Sequence, residues 1–119
     1  VRRGGRGRVP RRRVDAGRPR VSVVVPLYEK AAEIGRAVDS VLRQTEEDWE
    51  LVVVDDGSTD GGADVVRRRA DSRIHVLSQA NAGVAAARNA GVRAARSELV
   101  ALLDADDKWS PRFLATVLA

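Results

Sequence analysis

Leu99-Val100-Ala101-Leu102-Leu103-Asp104-Ala105-Asp106-Asp107 runs five apolar residues straight into three carboxylates in four positions. The apolar run is too short to cross a bilayer and reads as a strand buried on both faces. Its carboxylates then stand at or just past the strand's carboxyl end. Like charges this close repel, so the stretch calls for a counter-charge. A divalent cation supplies one: Mg²⁺ and Mn²⁺ take hard oxygen ligands, commonly one or two carboxylates plus substrate phosphates. The same residues also read as an acidic loop, with Asp107 or Ser110 capping a helix that begins near Pro111. Taken alone, the stretch does not separate the two.

Working outward, the pattern of the chain favours a site. Val21 to Val25 is a nearly continuous β-branched run, as in a central parallel strand, and Pro26 is expected to end it because proline cannot donate to a ladder. Ala31, Ile34, Ala37, Val38, Val41 and Leu42 recur at helical spacing, predicting a helix over 31–43. A second strand, Glu50 to Val54, runs into the turn cluster Asp55 to Gly62. A short helix over 63–69 and a short edge strand over 73–77 follow, with His75, the one histidine, facing outward. The loop Gln79 to Gly83 leads to an alanine-rich helix over 84–96, whose small side chains permit close packing on a sheet. The order is β-α-β-α-β-α-β-α. Buried strands alternating with amphipathic helices make a mostly parallel α/β sheet with helices on both faces and right-handed crossovers. Ligands of such sheets bind beyond the carboxyl ends of the strands, at the switch point. Pro26 to Tyr28, Asp55-Asp56 and Asp104 to Asp106 all fall there.

Two nucleotide chemistries are excluded. The turn after the first strand, Pro26-Leu27-Tyr28-Glu29-Lys30, has no G-x-G-x-x-G, and no G-x-x-x-x-G-K-[ST] occurs. A glycine nest is therefore not the main holder of phosphate. The ligand inferred is a nucleoside diphosphate compound held through a metal, with Asp55 or Asp56 where such folds place a base- or ribose-binding acid.

Charge divides the chain. Residues 1–20 hold nine Arg and one Asp, whereas residues 21–119 hold twelve basic and sixteen acidic side chains. The Arg/Gly-rich leader 1–20 lacks the apolar surface to offset ordering entropy and is expected to be disordered. It interleaves no aromatic residue to stack on bases, so no specific nucleic acid is expected. There is no cysteine, hence no disulfide framework and no thiolate metal site. No apolar run reaches the roughly eighteen residues of a membrane span, and no apolar segment of the signal-peptide kind follows the basic residues.

Four blocks in this order resemble the family 2 glycosyltransferases, which have the Rossmann-like GT-A fold. They are Val23 to Tyr28, Val53 to Asp60, Asn81 to Gly91 and Leu103 to Asp107, within residues 21–119. The resemblance implies transfer of a sugar, with inversion, from a UDP- or GDP-sugar type of donor to a glycan, lipid or protein acceptor. It also implies roles. Tyr28 packs on the nucleotide base with Pro26 beside it, in a donor-binding turn that includes Leu27 and Glu29. Asp56 bonds the base, Arg88 contacts the nucleotide, and Asp104, next to Ala105, binds the ribose. Asp106 binds the Mn²⁺ or Mg²⁺ that bridges the diphosphate; Asp107 supports it or caps a helix. One residue departs from the pattern: Glu29 stands where the family usually has Asn. The resemblance also places the general base and the acceptor-binding half after the metal motif. The chain is therefore expected to be the N-terminal donor-binding portion, truncated after the fourth strand and following helix, with that strand's edge uncovered. Such a portion binds donor without transferring it. A cytoplasmic location, or a peripheral one at the inner face of the membrane, goes with the resemblance. The alternative is a non-catalytic nucleotide or nucleic-acid binding module that uses the Arg-rich tail.

Overall fold

The computed structural model describes residues 17–119. The expected disorder of residues 1–16, and any role of their arginines, lie outside the described residues. Residues 17–20, assigned above to the leader, are docked. Arg20 donates its N–H to Asp48 O at 3.0 Å, and its guanidinium pairs with Glu46 at 2.7 Å. Arg18 Nε bonds Arg96 O.

The elements are β1 (Val21–Leu27), α1 (Ala31–Leu42), β2 (Trp49–Asp55), α2 (Gly62–Arg67), β3 (Ile74–Ser78), α3 (Val84–Ala94), β4 (Val100–Leu102) and α4 (Phe113–Leu118). The four strands form one sheet in the order β3-β2-β1-β4, and every pairing is parallel. The chain steps outward from β1 to β3 and then returns to the other side of β1. The switch point therefore lies between β1 and β4, at their carboxyl ends.

Alternation along each strand builds two apolar layers. Val23, Val25, Leu27, Leu51 and Val53 pack with Ile34, Val38 and Val41 of α1, Val66 of α2 and Leu114 of α4. On the opposite face Val24, Val52 and Val54 meet Ala87 of α3. Gly91 lets α3 approach: a Cβ there would run into Val24 Cγ1. Gly91→Ala is expected to cost about 1–3 kcal/mol by overpacking. Urea unfolding checks it, the midpoint falling while the slope stays constant.

Three expectations are corrected. Pro26 does not end β1; it pairs in register with Val54. Ser22 N donates to Leu99 O and Leu103 N to Val24 O, so alternate residues of β1 turn their backbone groups toward β4. Pro26 is next on that side, and the β4 pairing has already stopped at Val24 and Leu102. The missing N–H costs no ladder bond. Second, β4 is not buried on both faces. It is the sheet edge, and Leu102, on the face it shares with Val24, is 52% exposed because α3 packs mainly on β1 and β2. Third, neither Asp107 nor Ser110 caps α4 with its side chain. Gln44, buried at the end of α1, staples that region instead: its Nε2 donates to Ser110 O at 2.7 Å, and its Oε1 accepts Leu114 N at 2.9 Å.

The apolar strands also hide a charge. Glu50 is 2% exposed. Its carboxylate accepts from Ser22 Oγ at 2.6 Å and from Arg96 N at 2.7 Å and Nε at 3.1 Å. Burial pushes its pKa up, but the Arg96 and Ser22 bonds outweigh this and hold it below the usual carboxylate value. This knot ties the α3–β4 connection to the sheet, at the end opposite the switch point.

Candidate functional site

The loops after β1, β2 and β4 meet at the switch point because their side chains are stitched together. Glu29 adopts φ +52°, a conformation Asn enters more readily than Glu. Its N–H donates to Ser58 Oγ at 3.1 Å. Its carboxylate accepts Thr59 N at 2.6 Å and Thr59 Oγ1 at 2.9 Å. Asp60 accepts Ala31 N at 2.9 Å through one oxygen and Gly62 N at 3.2 Å through the other. The β1–α1 turn is thus locked to the β2–α2 loop.

Asp56 joins that pair of loops to the segment before α3. It is 2% exposed. One oxygen accepts Gln79 Nε2 and Ala82 N, both at 2.9 Å. The other accepts Asn81 Nδ2 at 3.0 Å and Gly83 N at 2.9 Å. These bonds occupy the roughly four lone-pair positions a carboxylate offers. The Gln79 bond leads in lowering the Asp56 pKa, and the N–H groups of Ala82 and Gly83 and the Asn81 amide add to it against the opposing effect of burial. Next to Asp56 the two loops nearly touch. Gly57 has φ +84°, and a Cβ there would come within 2.9 Å of Asn81 N, so only glycine suits the position.

The carboxylates after β4 sit on a turn closed by Asp107 N donating to Asp104 O at 3.0 Å. Arg88, projecting from α3, bonds Asp104 Oδ1 at 3.0 Å. Lys30 Nζ stands 3.7 Å from Asp106 Oδ2. The side chains of Asp104 and Asp106 are 57% and 54% exposed, so each has oxygen to offer a ligand. Asp107 turns its carboxylate to Lys108 N.

A cleft of about 490 Å³ opens here. It gathers Pro26, Leu27, Tyr28, Asp56, Arg88, Asp104, Ala105 and Asp106 from four separate segments. Leu27 and Ala105 form its floor and are buried, while Tyr28 is half exposed at its rim. Glu29 is not among the lining residues; its carboxylate is spent on Thr59. The sequence reading did not select Lys30, Asn81, Gly83, Val84 or Ala87, which complete the walls. Residue 30 follows the aromatic turn and opens a helix, a placement that signals a cleft-facing position; Asn81 stands in one of the four blocks but has no role of its own there.

Among the described residues no three acidic, His or Cys side chains cluster to hold a metal alone. The donor set nonetheless fits Mg²⁺ or Mn²⁺ in its substrate-completed form: exposed carboxylate oxygens, with the rest of the shell coming from a diphosphate. Asp106 is the candidate ligand, with Asp104 two residues away and engaged by Arg88. Among the described residues no helix is long and apolar enough to cross a membrane.

Comparison with known proteins points to one family. The chain is 45% identical over 102 residues to an uncharacterized glycosyltransferase of Nostoc sp., aligning 83% of this chain with 32% of that protein. It superposes on S. aureus TarS in complex with UDP-GlcNAc with a TM-score of 0.80 at 29% identity, covering 83% of this chain and 30% of that one. It superposes on a Pyrobaculum calidifontis mannosyltransferase in complex with GDP-Man and Mn²⁺ with a TM-score of 0.71 at 35% identity, covering 80% and 30%. The chain thus spans about a third of the length of the relatives it matches. The description of glycosyl transferase family 2 matches residues 22–119, and with its GT-A type of parallel sheet the chain belongs to that family.

Proposed function

We propose that residues 21–119 form the donor-binding part of an inverting glycosyltransferase that takes a UDP- or GDP-sugar and serves a glycan, lipid or protein acceptor, in the cytoplasm or at the inner face of the membrane. The observation that carries this reading is the convergence of Tyr28, Asp56, Arg88, Asp104 and Asp106 on one cleft at the switch point of the sheet. The complexes of TarS with UDP-GlcNAc and of the mannosyltransferase with GDP-Man and Mn²⁺ support the choice of ligand class.

In this reading Tyr28 lies against the base at the rim, and Pro26 and Leu27 shape the wall beside it. Asp56 holds the loops that define the base pocket; contact with the base itself exchanges one of its present donors. Asp104, oriented by Arg88, accepts from the ribose hydroxyls. Asp106 holds the divalent cation, which when bound stabilises charge on the leaving diphosphate as a Lewis acid. Inversion in one displacement also needs a general base beside the acceptor hydroxyl. Asp107, turned to Lys108 N, is a poor candidate, so the base is assigned to the acceptor side.

Calorimetric titration of UDP and GDP into the chain, with and without Mn²⁺, tests the reading. Binding that requires Mn²⁺ is expected for one of the two nucleotides. A folded chain that gives no binding heat with either nucleotide refutes it.

A further inference from the structure

Two cations line the cleft, and they are held differently. Arg88 is hydrogen-bonded to Asp104 at 3.0 Å. Lys30 approaches Asp106 at 3.7 Å, an ion pair beyond hydrogen-bond length, with 43% of its side chain exposed. Its backbone, by contrast, is fixed on both sides. Glu29 before it is bonded to Ser58 and Thr59, Ala31 after it donates to Asp60, and its own carbonyl accepts Glu33 N and Ile34 N. Lys30 thus carries a partly exposed, loosely paired charge on a fixed backbone. Of the three cleft carboxylates, Asp56 is satisfied by four uncharged donors, and Asp104 is paired with Arg88 through one oxygen. Among the described residues, Lys30 is the cation that pairs with the Asp106 carboxylate; Arg36 reaches the Asp106 backbone carbonyl, at 3.5 Å.

We propose that Lys30 is a partner-changing counter-ion: it neutralises Asp106 before the donor arrives and turns to the donor's diphosphate as Asp106 takes the divalent cation. This rests on the donor-site reading above and goes beyond it by making cation binding conditional on the nucleotide. An exposed ion pair at this distance is weak, so breaking it costs little. The ammonium and a divalent cation repel each other at one carboxylate, so cation binding without nucleotide is opposed. Diphosphate oxygens carry several negative charges and accept charge-assisted bonds from lysine, a point charge on a flexible stem. Lys30 therefore penalises the lone cation and rewards cation and diphosphate together.

Titrations of the chain, of Lys30→Gln and of Lys30→Arg test this with two probes: Mn²⁺ alone, and whichever of UDP and GDP binds, at saturating Mn²⁺. In Lys30→Gln, Mn²⁺ alone is expected to bind several-fold more tightly. The nucleotide is expected to bind roughly tenfold more weakly, the order lost with one charge-assisted hydrogen bond. Lys30→Arg, which keeps the charge, retains most of the nucleotide affinity. The opposite signs are the signature, because a structural role for Lys30 would weaken both. Unchanged affinities in Lys30→Gln, or parallel losses, overturn the proposal and leave the donor-site reading standing. A wild-type chain that binds neither nucleotide overturns both.

Discussion

Asp56→Ala is expected to destabilise the chain by about 3–5 kcal/mol, a large share of the 5–15 kcal/mol typical of a folded domain. The substitution removes the acceptor of two side-chain amides and two backbone N–H groups in a position that is 2% exposed. Each of these part-buried bonds to a charged acceptor is worth about 1 kcal/mol, and the backbone N–H groups of Ala82 and Gly83 cannot rotate to new partners as side chains can. Urea unfolding measures the loss. Asp56→Asn keeps an acceptor oxygen but turns an NH₂ toward donors, so it is expected to recover less than half of it. If alanine prevents folding, Gln79→Ala, which removes one donor and no backbone partner, reads the same network at about 1 kcal/mol. The carboxyl is held below its usual value in the folded chain. Its contribution is therefore present above the unfolded value of about 4 and is lost as pH falls through the lower folded value. Wild type should lose stability over that acid window, and Asp56→Ala should lose less. A variant within 1 kcal/mol of wild type, with the same acid slope, would show that the four bonds contribute little.

Much of the fold is legible because the parallel-sheet pattern is strong. Val21, Val23 to Val25 and Leu51 to Val54 are apolar for the reason the fold requires, being covered on both faces. What the pattern misjudges is the cover over one face of a strand. Leu99 to Leu103 has the same composition as the central strands, yet β4, at the edge as the resemblance implies, leaves Leu102 half exposed, and an apolar run carries no mark of whether a helix reaches over it. Pro26 misleads for the opposite reason: a local rule against proline yields to a ladder that has already ended. Ser22 and Glu50 look like polar interruptions until folding brings Arg96 to Glu50 from 46 residues beyond it and Ser97 N to Ser22 Oγ. No spacing rule finds those contacts. The cleft is legible through its motifs, which put chemistry at four strand and helix ends. The partners of those residues are less so. Sequence shows that Glu29 departs from the usual Asn, but only the fold shows its left-handed backbone and its bonds to Thr59. Lys30 escapes because its significance is a distance to Asp106, 76 positions away.

Asp106→Ala is expected to abolish the Mn²⁺-dependent part of nucleotide binding, a loss of about a hundredfold or more, because a hard cation bound through one or two protein carboxylates has few ligands to spare. The same substitution should leave stability nearly unchanged. Asp106 is 54% exposed, and its ion pair with Lys30 is a surface contact. This separates it from Asp56, whose loss acts through the fold. Two neighbours make the result specific. Asp107→Ala removes a carboxylate one residue away whose contact is its bond to Lys108 N, and it is expected to change nucleotide affinity less than threefold. Asp104→Ala leaves Arg88 without its 3.0 Å partner and is expected to weaken nucleotide binding both with and without Mn²⁺, since the ribose contact does not depend on the cation. Calorimetry on the three variants reads all of this in one series. Equal losses in Asp106→Ala and Asp107→Ala would mean that general negative charge, rather than coordination, draws the cation to this turn. Wild-type affinity in Asp106→Ala would move the cation ligand elsewhere. The contrast has force because all three carboxylates share one turn and similar solvent exposure, so only their directions and partners can set them apart.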